Sequence, residues 1–509
     1  MLTRRKMLAA ATTVGIAGPL SLCRGLLVYG QEDRNELQIP ALERGQPEQG
    51  KQKFQLRLQR GSKSFLPGLQ TPTFGINGDY LGPTLRFKRG ESVAFTIDNQ
   101  LGEPTTLHWH GFHLPPLQDG GPHQTIPDGG RWEPEFDIIQ FAGTYWYHSH
   151  LLHESGRQVY MGLAGMIQVE DDTVAVDLPN EYGVDDIPLI LQDRRFNSAG
   201  EFQYRSRYQD DVMGMMGDTV LVNGTYRPVF QPRSTLVRFR ILNAANARSF
   251  DVALSDNREF HQIATDGGLL DAPVAMNRLR LAPAERAEIL VRFEPGESVS
   301  LMSLGQDSSF PEFPGGISTM MRSLNSETFE LLSLRAAGSL ATDFTLPSQL
   351  TPVYRLPEAA AENSRSFLLS MGAGMRSGED KGPGTGGRNG TGGGYGGGNY
   401  FINGRVMDMS YINERVPLNS TEIWELSNNS PMMHPFHIHN GQFQILDRNG
   451  NPPPANEIGW KDTVQVGSGE RVRLIMRFTD YADVENPYMY HCHILEHEDR
   501  GMMGQFVLV

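Results

Sequence analysis

One strand plan occurs three times in this chain, and it limits the fold more than any other feature of the sequence. Ile76-Asn77-Gly78 leads on to the alternating run Val93-Ala94-Phe95-Thr96-Ile97-Asp98-Asn99. Val222-Asn223-Gly224 leads in the same way to Val237-Arg238-Phe239-Arg240-Ile241-Leu242-Asn243, and Ile402-Asn403-Gly404 to Ile423-Trp424-Glu425-Leu426-Ser427-Asn428. Alternation with a period of two marks half-buried strands, and the Asn-Gly pairs mark turns. Long helical periodicity is scarce. A chain of 509 residues exceeds one ordinary core, and the repeat predicts an all-β protein of three sandwich domains at 45–182, 183–345 and 350–509.

The residues downstream of each copy differ chemically. After Asn99 comes His108-Trp109-His110, and after Asn428 comes His434-Pro435-Phe436-His437-Ile438-His439, whereas no histidine cluster succeeds Asn243. The outer domains also end alike, in Tyr147-His148-Ser149-His150 and Tyr490-His491-Cys492-His493, with Ser149 standing where Cys492 stands. The middle domain is therefore expected to be metal-free. Of fourteen histidines, ten fall in these four clusters once His497, four residues after His493, is counted with the last. A single His-x-His on a strand is most often structural, but strand residues two apart share a face, and four such motifs can present paired imidazoles to a common cavity.

Imidazole suits copper and zinc alike, so cysteine decides between them. A thiolate, two imidazoles and a weak thioether make a trigonal electron-transfer copper site, and Cys492, His434, His497 and Met502 supply that set. Zinc prefers closed tetrahedral sites without redox chemistry, and the remaining histidines are too many for one zinc. Because strand side chains alternate, Cys492 is expected to face one way and His491 and His493 the other, so that one stretch of backbone joins two metal sites.

The net charge of -14 and pI near 5.5 exclude a nucleic-acid partner, for want of a basic face. Thr3-Arg4-Arg5-Lys6 before the apolar stretch Ala9 to Leu22 has the layout of a twin-arginine export signal over residues 1–30. The expectation is export to the periplasm or the exterior, with no membrane insertion after signal removal. Cys23 would leave with the signal, and Cys492 would remain as a lone thiol in an oxidising compartment, where a metal bond protects it. Residues 372–398 are about half glycine, a flexible-loop composition.

From about Phe54 to Val509 the chain resembles the multicopper oxidases, proteins of cupredoxin-like Greek-key β-sandwich domains. The four histidine motifs carry the likeness, and the stretch His491 to Met503 resembles the three-domain bacterial branch of laccases and periplasmic cuprous oxidases. The resemblance implies four copper ions: one blue (type 1) copper on His434, Cys492, His497 and axial Met502, one type 2 copper on His108 and His437, and a type 3 pair on His110, His148, His150, His439, His491 and His493. It also implies O2 as the electron acceptor, with Asp119 and Glu498 as acidic groups that deliver protons or orient ligands. In chemical terms, a carboxylate beside a metal site can do either.

Substrate choice is less uniform. In the cuprous oxidases that the chain resembles, methionines and aspartates bind substrate Cu(I) beneath a methionine-rich insertion. Here Met371 and Met432 match methionine positions, but Arg376 and Ser430 stand where aspartates are wanted, and glycine replaces the insertion. Thioether sulfur does favour Cu(I), and Met213, Met215 and Met216 add a cluster, yet methionine is commonly core filler. The leading expectation is a laccase-like oxidase of phenols or aromatic amines approaching the edge of His434 or His497, with Cu(I) as a further or alternative substrate. A non-enzymatic relative that keeps only the cupredoxin scaffold is the rival class, and it should lack several of the ligands present here.

Overall fold

The computed structural model describes residues 34–305, 325–341, 344–372 and 399–509. The expected signal, Cys23, Arg376 and the glycine-rich segment lie outside these residues, apart from Gly372, which ends the strand Asn363–Gly372. Six sheets make three β-sandwiches. The first joins a six-stranded sheet centred on Lys51–Lys63 and Ser92–Gln100 to a five-stranded sheet that carries His108–His110, Gly143–His148 and Ala164–Glu170. The middle one joins seven strands, including Asp186–Arg194 and Leu236–Asn243, to six. The third has two five-stranded sheets, one around Thr421–Asn428 and one carrying His434–Ile438, Asp483–Cys492 and Met503–Leu508.

The threefold repeat has a local physical cause. Asn77, Asn223 and Asn403 all adopt the left-handed backbone, with φ of 57°, 52° and 52°, a conformation that asparagine tolerates better than other non-glycine residues. Each side chain then ties its turn to the neighbouring strand. Asn77 Oδ1 accepts from Arg57 N at 2.7 Å, Asn223 Oδ1 from Ile190 N at 2.8 Å, and Asn403 Oδ1 from Leu368 N at 2.7 Å. The asparagines that end the second strand are equally regular, since Asn99, Asn243 and Asn428 accept from the backbone N–H two residues on. Even the parallel register is shared, pairing Leu58 with Asn99, Leu191 with Asn243 and Leu369 with Asn428.

Alternation places Phe54, Leu56 and Leu58 in the first core and Trp424, Leu426 and Phe436 in the third. The short strand Asn35–Glu36 pairs with Pro228–Phe230 of the middle sandwich, while Leu42–Glu43 joins the first. Two-residue strands have no readable period, so no sequence pattern marks this crossing.

Candidate metal centre

The histidines come together because two pairs of strands put them in register. In the first sandwich His148 lies opposite His108; in the third, His437 lies opposite His491 and Phe436 opposite Cys492. The intervening Trp109 and Tyr147 fill the first core, and Phe436, Tyr490 and Cys492 the third, so the histidines are left on the opposite faces. Those faces meet. The His108 ring stacks on His439 at 3.9 Å between centroids and the His110 ring on His437 at 3.6 Å, each pair drawn from both outer sandwiches.

Eight buried imidazoles sort into three groups. His150 Nε2 and His439 Nε2 lie 3.2 and 3.3 Å from His491 Nε2. His148 Nε2 lies 3.4 Å from His110 Nδ1, with the His493 ring 5.1 and 5.3 Å from theirs. His108 and His437 each donate Nδ1–H to a backbone carbonyl at 2.8 Å, that of Asp119 and that of Asp462. Their Nε2 atoms have no hydrogen-bond partner, and neither has either nitrogen of His493. A buried polar atom without a partner costs about 1–3 kcal/mol, so this set fits metal ions. Burial lowers the basicity of His108, His110 and His437, and neighbouring imidazoles add to the effect. At His148 burial, helped by His439, outweighs the Ser149 carbonyl and brings the ring down to about 3. Neutral imidazole is the metal-binding form.

A second donor set lies inside the third sandwich. His434 Nδ1 is 3.3 Å and His497 Nδ1 3.7 Å from Cys492 Sγ. Among the described residues Cys492 is the only cysteine, and burial pushes its thiol up, so a metal would have to displace the proton. Met502 is buried in the same core, and its carbonyl accepts from Cys492 N at 3.0 Å.

The imidazole edges expected to receive substrate are covered. His434 and His497 are fully buried. His434 Nε2–H donates to Ser430 Oγ at 2.7 Å, and His497 Nε2–H to the Val212 carbonyl at 3.2 Å. The Tyr400 ring stacks on His497 at 3.9 Å, with its hydroxyl donating to the Asp211 and Val212 carbonyls. The helix Tyr208–Met213 thereby satisfies two of its orphan C-terminal carbonyls. Met432, Met213 and Met216 are buried in the third core, with Met371 packed against it, an arrangement suited to apolar filler.

Both acidic candidates reach the imidazoles. Asp119 Oδ2 accepts from His439 Nδ1–H at 2.7 Å, while Oδ1 has no hydrogen-bond partner. Glu498 sits between sandwiches, with Oε1 3.2 Å from His150 Nδ1 and Oε2 3.3 Å from His491 Nδ1. Those contacts are too poorly aligned for hydrogen bonds. Burial, reinforced by Asp499, pushes the Glu498 carboxyl well above the usual range. Sequence reasoning missed Asp462: its Oδ1 accepts from His110 Nε2–H at 3.1 Å, besides the carbonyl contact to His437. No spacing links Asp462 to a histidine pair, so only the register of His437 with Thr463 reveals it.

Sequence profiles of the multicopper oxidase family match residues 57–174 and 385–509. The chain is 35% identical over 499 residues to the cell division protein FtsP of Xenorhabdus nematophila, covering 97% of each chain. It is 33% identical to the multicopper oxidase mco of Staphylococcus haemolyticus, over 93% of this chain and 92% of that one. In structure it resembles CueO, a laccase-like multicopper oxidase from the lignin-degrading bacterium Ochrobactrum sp. with oxidase activity towards lignin model compounds and lignosulfonate. The TM-score is 0.79 at 36% identity, covering 93% of this chain and 100% of that one. The chain belongs to the multicopper oxidase family.

Proposed function

We propose that this protein is an exported, laccase-like oxidase that couples one-electron oxidation of phenols or aromatic amines to reduction of O2 to water. One observation carries the proposal: two buried donor sets are joined by the backbone of one residue, with Cys492 facing the core and His491 and His493 facing the histidine cluster. His434, Cys492, His497 and Met502 would hold the blue copper, and the eight remaining clustered histidines the other three. Copper in those sets would take electrons singly and supply four to O2. Glu498 lies beside His150 and His491, where a carboxyl can relay protons, and Asp119 orients His439.

Against Cu(I) as the main substrate stand a hydroxyl at Ser430, where a carboxylate would bind the cation, and a buried Met432. The likeness to CueO from Ochrobactrum sp. supports aromatic donors. Electrons would then enter across the cover formed by Tyr400 and Val212. The likeness to FtsP supports a second reading, a non-enzymatic exported scaffold, but the unpartnered ring nitrogens give that role no use for the retained ligands. The basic-then-apolar start supports export.

The test is a visible spectrum of copper-loaded protein, then steady-state turnover of a methoxyphenol and of Cu(I). An intense blue band and phenol turnover are expected. Absence of the band would overturn the oxidase, and a band without phenol turnover would overturn the substrate class.

A further inference from the structure

The middle sandwich, which carries none of the clustered histidines, nonetheless reaches their cluster. Arg286 begins the strand Arg286–Arg292 and is fully buried, as is Asp462 of the third sandwich. The two form a bidentate pair, Nη1 to Oδ1 at 2.7 Å and Nη2 to Oδ2 at 2.6 Å. The other guanidinium hydrogens go to the carbonyls of Thr144, Ala284 and Asp266 at 3.0, 3.1 and 2.8 Å. A guanidinium has five N–H donors, and every one is engaged, which fixes the fork in a single orientation.

Asp462 passes that orientation to two imidazoles. Its Oδ1 accepts from His110 Nε2–H, so His110 turns Nδ1 toward His148; its carbonyl accepts from His437 Nδ1–H, so His437 turns Nε2 inward. Gly111 makes room for the pair: its φ is +87°, and a Cβ there would lie 2.5 Å from Asp462 Oδ2 and 3.1 Å from Arg286 Nη2.

We infer that Arg286 is a positioning residue of the histidine cluster, acting through Asp462 to set which nitrogen His110 and His437 present to copper. This role rests on the proposed copper sites. The alternative is that the pair merely docks two sandwiches, and the neighbouring residues provide a control for it. Glu285, next to Arg286, is paired at 3.1 Å with Lys461, next to Asp462, at the same junction and likewise buried, yet neither is bonded to an imidazole.

The experiment compares R286K and R286Q with E285Q, using copper per chain, the share of that copper visible by electron paramagnetic resonance, and blue absorbance. An exchange-coupled copper pair is silent in that resonance, so disturbing it raises the visible share. In both Arg286 variants, copper in the cluster should be held about 10- to 100-fold more weakly and the visible share should rise, with blue absorbance kept; E285Q should change neither. Full copper and an unchanged visible share in R286Q, or equal losses in E285Q, would overturn the inference. If the Arg286 variants fail to fold, nitrogen-15 shifts of the copper-free parent protein decide: His110 protonated at Nε2 is expected, and protonation at Nδ1 overturns it. A parent protein that takes up no copper would refute the oxidase reading instead, and leaves this tautomer test standing.

Discussion

Replacing Ser430 by alanine removes the acceptor that holds His434 in place. The Ser430 hydroxyl donates to the Met432 carbonyl at 3.0 Å, so its oxygen is free to accept from His434 Nε2–H at 2.7 Å. This bond fixes the tautomer in which Nδ1 faces Cys492 Sγ. A ligand imidazole that donates a hydrogen bond is the more basic for it, which favours the cupric state. If that preference is about 1 kcal/mol, its loss moves the redox equilibrium about fivefold, an upward shift of about 40 mV at 59 mV per decade. The Met432 carbonyl keeps its bond from Asn428 Nδ2 at 2.7 Å, so the structural cost falls on the His434 N–H and on the Met432 N–H, which lies 3.4 Å from the same hydroxyl oxygen, about 1–3 kcal/mol.

Spectroelectrochemical titration of the blue band measures the midpoint directly, and thermal unfolding of the same sample gives the stability cost. Ser430→Thr keeps the hydroxyl and should leave the potential near that of the parent. Ser430→Asp provides a stronger acceptor and should move it down. A fall in Ser430→Ala, or no change despite lower stability, would refute the hydrogen bond as a control on the blue centre.

Asp119→Asn keeps an oxygen for His439 Nδ1–H, so copper content should hold while O2 reduction slows by about 10²- to 10⁴-fold if the carboxylate moves protons; oxygen-electrode rates set against copper analysis would check this. Tyr400→Leu removes the ring stacked on His497 and leaves the Asp211 carbonyl without its partner, and loss of stability by about 1–3 kcal/mol with an altered blue-copper resonance spectrum is expected. Burial alone would raise Glu288, but Arg238, Arg240 and Thr144 hold it down to about 2 from an ordinary 4.5. A depressed carboxylate stabilises the fold above its unfolded value and loses that contribution as pH falls through about 2. Glu288→Gln should therefore be less stable by about 3 kcal/mol at neutral pH, with the gap closing only between about pH 4.5 and 2 in equilibrium unfolding.

Ligands were legible where sequence spacing and strand geometry coincide. His108 and His110, or His491 and His493, declare a shared face because two residues span one strand period. Asn77, Asn223 and Asn403 declare three copies of one fold because the left-handed turn favours asparagine at the same place each time. Asp462 and Arg286 obey no such rule. They lie 176 residues apart on different sandwiches and meet only after the domains dock. The cover over His497 was invisible for the same reason: the Val212 carbonyl has no side-chain signature, and Tyr400 comes after a segment read only as composition.

The contrast between the two outer sandwiches shows how one scaffold comes to offer one inner cysteine-histidine donor set and not two. His434 stands three residues before His437, as Thr105 does before His108, and Cys492 stands between its histidines as Ser149 does. In the first sandwich Thr105 Oγ1 and Ser149 Oγ both donate to Gln158 Oε1, at 2.7 and 2.6 Å. The Gln158 amide nitrogen is engaged as well, since Nε2 donates to the Pro104 carbonyl and to Glu103 Oε1. A satisfied amide therefore occupies the interior of the first sandwich where the third has Cys492 and His434 in contact. The outward-facing histidines are untouched by this exchange, because alternation assigns inner and outer faces to different residues. Each outer sandwich can thus supply half of the shared cluster, while only the third carries an inner site from which electrons could reach it.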